Sequence, residues 1–312
     1  MLDYKKILKQ AFEIIRSQKR LWWFGLFLMF GSVGNLITFS QDDKSSDQQA
    51  QRIQEQANNY FTQHEGLVLG IGIVLLLFFV LMIIGYYYAK AGTIISVNKI
   101  IKKEAWGFID GMKSGKKYFN RLILISLFYA VVLIIVGAIF GAPIVYLYTA
   151  KLYSRATILL ILALIIALPV FIVMSLVNLI APLFAVSFNL RFRDSLRASF
   201  DIINKQWLNL LILGFCIMFV TMLGMVIFFI ILGLVSIPFV ILLSFLYDKV
   251  GYLVFFIVTV FLIALVLIVM LFAQGVVTLF SQVAWVVAFN HLVKPIFIDE
   301  KQAMALENTL ET

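Results

Sequence analysis

Apolar residues in this chain fall into long, nearly uncharged blocks separated by short polar connectors. The blocks are Leu21–Phe39, Leu67–Ala89, Leu122–Tyr148, Thr157–Asn189, Trp207–Leu246 and Tyr252–Val293. A helix crosses the hydrocarbon core of a bilayer in about 20 residues, so each block is long enough to span. Helix is the structure to expect, because in hydrocarbon every backbone N–H and C=O must find a partner within the chain, and a helix supplies it locally. Alternating strand patterns, which a barrel requires, are absent from the sequence. The pattern therefore predicts an all-α integral membrane protein with six transmembrane helices. The last two blocks run to 40 and 42 residues, more than tilt readily absorbs. A break near Gly233 and Pro238, or at Gln274–Gly275, is the alternative to one long helix in each. Splitting the last block would make seven helices and carry the tail to the other side; the repeat described next favours six.

The order of events recurs three times. A basic amphipathic lead precedes a span outward, and a longer span returns. The leads are residues 2–20, 104–121 and 190–206. In the first, Tyr4, Leu8, Ala11, Phe12 and Ile15 lie at helical spacing. In the third, Phe192, Leu196, Ser199, Phe200 and Ile203 do the same. Phe12-Glu13-Ile14-Ile15 is matched by Phe200-Asp201-Ile202-Ile203, and tryptophan follows in both, at Trp22 and Trp207. The middle lead aligns Ala105, Phe108, Ile109, Met112 and Phe119, with Gly111 and Gly115 lowering its helix propensity. The returning spans share an ending: Ser96-Val97-Asn98, Ser187-Phe188-Asn189 and Ala288-Phe289-Asn290. Three lead-plus-hairpin units follow, residues 1–103, 104–189 and 190–295, in one membrane domain with a short polar tail over 296–312. The larger outer loop, Ser40–Glu65, places Ala50, Ile53, Ala57, Tyr60 and Phe61 at the spacing of a short amphipathic helix.

Charge orients this plan. With the N-terminus taken as cytoplasmic, 20 of the 25 lysines and arginines lie on the cytoplasmic side. That is a strong positive-inside bias and puts both termini in the cytoplasm. The net charge of +9 thus reads as topology and attraction to anionic head groups, and nucleic acid is not an expected partner. Leads of this kind suit helices lying in the cytoplasmic interface, with a short helix packed on its neighbours as the alternative. The residues expected to contact lipid there are Lys5, Lys6, Lys9, Trp22, Trp23, Lys116, Lys117, Arg193 and Trp207. A long polar lead, a block from Leu21 to Phe39 too long for a typical signal-peptide core, and the lack of a small-residue cleavage site after it set the first block apart from a cleavable signal peptide.

Composition narrows the chemistry. Hydrophobic residues make up 63% of the chain and charged residues 13%, and no ionisable residue stands at the centre of a block. Lys90 and Arg191 lie near cytoplasmic ends, where snorkelling would relieve their cost. His64 and His291 fall on opposite faces, so no metal centre is expected. A phosphate-binding loop is lacking; Ser114-Gly115-Lys116-Lys117 has no upstream glycine at the required spacing. The lone Cys216 lies in an apolar block and reads as a small buried hydrophobe. Gln274, Thr278, Ser281 and Gln282 share one face of the last helix, a candidate polar groove against a background of ordinary interhelical hydrogen bonding. No cofactor and no enzyme activity are expected.

The segment Tyr4-Lys5-Lys6-Ile7-Leu8-Lys9-Gln10-Ala11-Phe12, followed by Leu21-Trp22-Trp23-Phe24-Gly25 and a cytoplasmic elbow over Gly111–Arg121, resembles the glycerophosphoryl diester phosphodiesterase membrane-domain-like family. The resemblance implies a multi-helix membrane protein. Some members carry a fused soluble phosphodiesterase domain, whose metal-binding acidic and histidine residues have no counterpart here, so no catalytic residue is carried over. The expected function is that of a non-enzymatic protein of the cell membrane that interacts with lipids or a membrane partner. The alternative is a permease for a lipidic or uncharged solute.

Overall fold

A computed structural model describes residues 3–29, 65–247 and 252–310. The helices are α1 (Tyr4–Ser17), α2 (Trp22–Leu28), α3 (Glu65–Ile101), α4 (Phe108–Lys116), α5 (Phe119–Thr149), α6 (Tyr153–Ser187), α7 (Phe192–Tyr247) and α8 (Tyr252–Leu310), with a 3₁₀ turn over Lys19–Leu21 between the first two. No strand occurs among the described residues. Five helices among them are long and apolar enough to cross a membrane, over Gly66–Ile101, Phe119–Thr149, Tyr153–Ser187, Phe192–Phe239 and Val254–Leu292. That is the make-up of a multi-pass membrane protein. The expected first span is described only as far as Met29; its remainder, the loop over residues 40–64 and the turn at Asp248–Lys249 lie outside the described residues.

The core sits at one end of the bundle. Buried side chains come from α1 (Ile7, Ala11, Ile14, Ile15), α2 (Phe24, Leu28), the last third of α3 (Ile94, Val97), the base of α5 (Leu122, Ile125), the end of α6 (Ile180, Leu183, Phe184), the start of α7 (Ile202, Leu210, Leu213) and the later part of α8 (Leu279, Val283, Val287). The rest of each long helix is almost bare: the most apolar windows of α3 and α8 bury nothing. Physical chemistry accounts for the contrast. Lipid tails are as apolar as leucine, so helices in hydrocarbon gain little by hiding leucine from them. Beyond the hydrocarbon, water returns and burial of one such side chain is worth about 1.5–3 kcal/mol. The basic connectors gather at this packed end.

The leads pack on the bundle. Asp3 caps α1 through Oδ1, which accepts the Lys6 N–H at 3.0 Å. The helix lies against α8 and α7. Its buried face is Ile7, Ala11, Ile14 and Ile15, rotated from the face expected, and Phe12 is 58% exposed. The third lead repeats this arrangement: Ile202 and Ile203 are buried, while Phe200 and Asp201 face outward. In the middle lead the helix begins at Phe108. Ile109, expected on the packed face, is exposed, and the buried residues are Gly111 and Gly115.

The breaks weighed as the alternative do not occur. α7 runs helically through Gly233 and Pro238, and α8 through Gln274–Gly275 and onward to Leu310. The interruption in α7 is at Gln206, with φ −134° and ψ 27°, at the junction of lead and span.

Candidate functional site

A cleft of about 380 Å³ opens at this end between α3, α4 and the end of α6. α3 contributes Ile95, Asn98 and Lys99, at steps of three and one residues that put them on one helical face, and Lys102 comes from the turn just past its end. Ser114 comes from α4, and Lys117 and Tyr118 from the turn that follows it; α6 adds Val186 and Ser187. α3 closes with Lys103 in the left-handed region (φ 59°), and the Glu104 N–H donates to the Lys99 carbonyl at 2.9 Å. This tight end holds Glu104 at the cleft, where its carboxylate lies 3.9 Å from Lys102 Nζ.

The cleft wall is tied together by hydrogen bonds from three helices. Asn290 Nδ2 on α8 donates to Asn98 Oδ1 at 2.7 Å and to the Val286 carbonyl at 2.9 Å. Asn98 Nδ2 in turn donates to Ser187 Oγ at 3.0 Å. Two of the three asparagines that end the returning spans therefore meet. The third, Asn189, lies just past α6 with φ 54°, and Ser187 stands in the place it would take. Arg121 secures that end of α6: Nη1 donates to the carbonyls of Asn189 and Leu190, both at 2.9 Å, and to Asn189 Oδ1 at 3.0 Å. The Lys117 ammonium and the Arg121 guanidinium also flank the Tyr118 ring, at 5.5 and 5.7 Å from its centroid.

The lining is cationic and rich in hydroxyls. It holds three ammonium groups against one carboxylate, with Ser114, Tyr118 and Ser187 as further donors. No histidine, cysteine or second carboxylate lines it, and the excess of cations and donors is the chemistry of anion binding. Among the described residues, no three His, Cys, Asp or Glu side chains cluster as a metal site would require.

Of the residues singled out from sequence, Lys117 lines this cleft. Lys5, Lys6, Lys9, Lys116 and Arg193 are exposed elsewhere on the packed end. Trp22 is half-buried; its indole N–H donates to the Ile15 carbonyl at 3.1 Å and its ring meets Phe272 at 5.5 Å, stapling α1 and α2 to α8. Trp23 and Trp207 point outward, 61% and 56% exposed. Gln274, Thr278, Ser281 and Gln282 are half-buried along α8, and the Thr278 hydroxyl donates to the Gln274 carbonyl at 2.8 Å; none of them lines the cleft. Lys90 is buried along its stem: the residue is 4% exposed, with its ammonium 5.7 Å from the centroid of the Tyr86 ring.

Lys99, Lys102, Tyr118, Ser114 and Ser187 were not picked out as a group by sequence. The helical spacing on α3 was visible, but Asn98 and Ser187 are 89 positions apart and nothing local joins them. A second, apolar groove of about 320 Å³ lies between α7 and α8, lined by Leu232, Val235, Phe239, Leu262 and Val266 among others. Set beside known proteins, the chain matches no family model, no curated protein and no solved structure.

Proposed function

We propose that this chain is a non-enzymatic, multi-pass protein of the cell membrane that binds lipid at its basic end, with both termini in the cytoplasm. The observation that carries the reading is the cationic cleft lined by Lys99, Lys102 and Lys117 at the packed end, beside long helices that run on into exposed apolar surface. A lipid has this combination of a charged head and a long apolar body. Support also comes from the outward-facing Trp23 and Trp207 at the packed end, since tryptophan favours the head-group boundary. The like burial of the two Phe-acid-Ile-Ile runs favours the repeated plan of leads and hairpins.

Native mass spectrometry of the full chain, released from its membrane in mild detergent, tests this. Phospholipid is expected to remain on the selected protein ions. Bare protein, with neither lipid nor protein partner retained, would count decisively against it.

The second reading is a permease for a lipidic or uncharged solute, favoured by the apolar groove between α7 and α8 and by prolines inside three of the long helices, Pro143, Pro169, Pro182 and Pro238. It predicts that cysteines placed at Gln274, Thr278 and Ser281 react with a water-soluble thiol reagent from at least one side. Silence from both sides removes the pathway.

A further inference from the structure

We infer that the cleft between α3, α4 and the end of α6 recognises a phosphomonoester dianion. The inference rests on the lipid-binding reading only for the source of that group, a lipid head or a soluble phosphate ester.

Charge balance is the first ground. Lys99, Lys102 and Lys117 bring three positive charges to the lining and Glu104 one negative. Glu104 lies close enough to Lys102 to offset it, at 3.9 Å. Two positive charges are then left without a counterpart in the lining. A phosphomonoester carries up to two negative charges above its second ionisation, near pH 6, and balances them; a phosphodiester carries one and leaves one positive charge unmatched. Electrostatic matching of this kind discriminates between partners more than it adds raw affinity.

Donor supply is the second ground. The terminal phosphate of a monoester offers three acceptor oxygens where a diester offers two. Asn98 donates to the oxygen of Ser187, so the Ser187 hydroxyl hydrogen is left over for another acceptor. The Asn98 amide is itself held by Asn290, through its Oδ1, which sets its orientation and so keeps its N–H on Ser187. Ser114 and Tyr118 add hydroxyl groups on the opposite wall. The space, about 380 Å³, is that of a small polar head; acyl chains would remain outside it along the bare apolar surfaces.

The test uses the full chain in mild detergent, titrated with equimolar phosphatidic acid and phosphatidylglycerol and read by native mass spectrometry. At a pH of about 7.5, above the second phosphate ionisation near 6, a preference for phosphatidic acid on the order of tenfold is expected, equivalent to about 1.4 kcal/mol. It should shrink as the pH falls toward about 5, where the monoester becomes a monoanion. The double substitution Lys99→Gln, Lys117→Gln should abolish the preference, bringing phosphatidic acid retention down to that of phosphatidylglycerol on the same variant. Lys99→Arg with Lys117→Arg, which keeps both charges, should retain it and controls for folding. Equal retention of the two lipids by the parent protein overturns the dianion inference and leaves lipid binding standing. Glycerol 3-phosphate bound with the same dependence on lysine, and no lipid retained, upholds the inference and overturns the lipid source. Binding of neither overturns both.

Discussion

Alanine at Gly115 is expected to push α4 away from α3 and to lower the thermal unfolding midpoint of the detergent-solubilised protein. A Cβ at Gly115 would stand 2.5 Å from the Tyr88 carbonyl oxygen and 3.3 Å from Tyr88 Cα. Those atoms are backbone in the middle of α3 and cannot swing aside. Overpacking of this sort costs about 1–3 kcal/mol, against which alanine returns up to about 1 kcal/mol of helix propensity. Gly111→Ala should cost less. Its added methyl meets the Phe24 ring at 2.8 Å and Ser96 Oγ at 2.9 Å, and side chains can give way. Because Ser114, Lys117 and Tyr118 ride on or beside α4, Gly115→Ala should also reduce the anionic lipid retained, whereas Gly111→Ala should reduce it less. An unfolding midpoint for Gly115→Ala equal to that of the parent would show that the two helices are not in close contact there.

Methionine at Lys90 should have the opposite sign and raise the unfolding midpoint. Lys90 is buried on α3 between Ala89 and Ala91, with Thr93 one turn on. Its contact is the Tyr86 ring, and no carboxylate lies within ion-pair distance of it among the described residues. A charged residue only 4% exposed, its ammonium facing an aromatic ring with no counterion, gives up much of its hydration and is costly to keep. Replacing buried charge by an apolar side chain of similar volume is often stabilising, by on the order of 1–4 kcal/mol. Methionine keeps most of the stem that fills the site and adapts to irregular space. Lys90→Ala should gain less, since it removes the stem and leaves a gap. A fall in the midpoint for Lys90→Met would mean that the ammonium has a stabilising partner, and that Lys90 belongs with the binding groups.

These two positions also mark where sequence reading was strong and where it failed. The glycines of α4 were legible only as poor helix formers. Their use is in the approach of two backbones, which becomes visible once α3 is beside them. Lys90 looked relieved by its nearness to a helix end, yet α3 continues through it to Ile101 and neighbouring helices enclose it. The faces of the leads were partly right. Ala11 and Ile15 are buried as the spacing suggested, while Phe12 and Phe200 are outward, because the packed face is chosen by α7 and α8 and not by apolarity alone. The junction at Gln206 coincides with the end of the third lead, and the long apolar blocks carry through their glycines and prolines unbroken.

What the sequence by itself determined is the helical class and the long apolar helices, together with the gathering of cations in the connectors. Both follow from local rules: backbone pairing in hydrocarbon is met within one helix, and the cost of charge in it is set residue by residue. Only the tertiary structure decided the cleft. Lys99, Lys117 and Ser187 share no periodicity; they meet because α4 presses its glycines onto α3 and because Asn98 joins Ser187 to Asn290 across three helices. Contacts between distant segments depend on how closely backbones approach, and helical spacing along one segment holds no record of that distance.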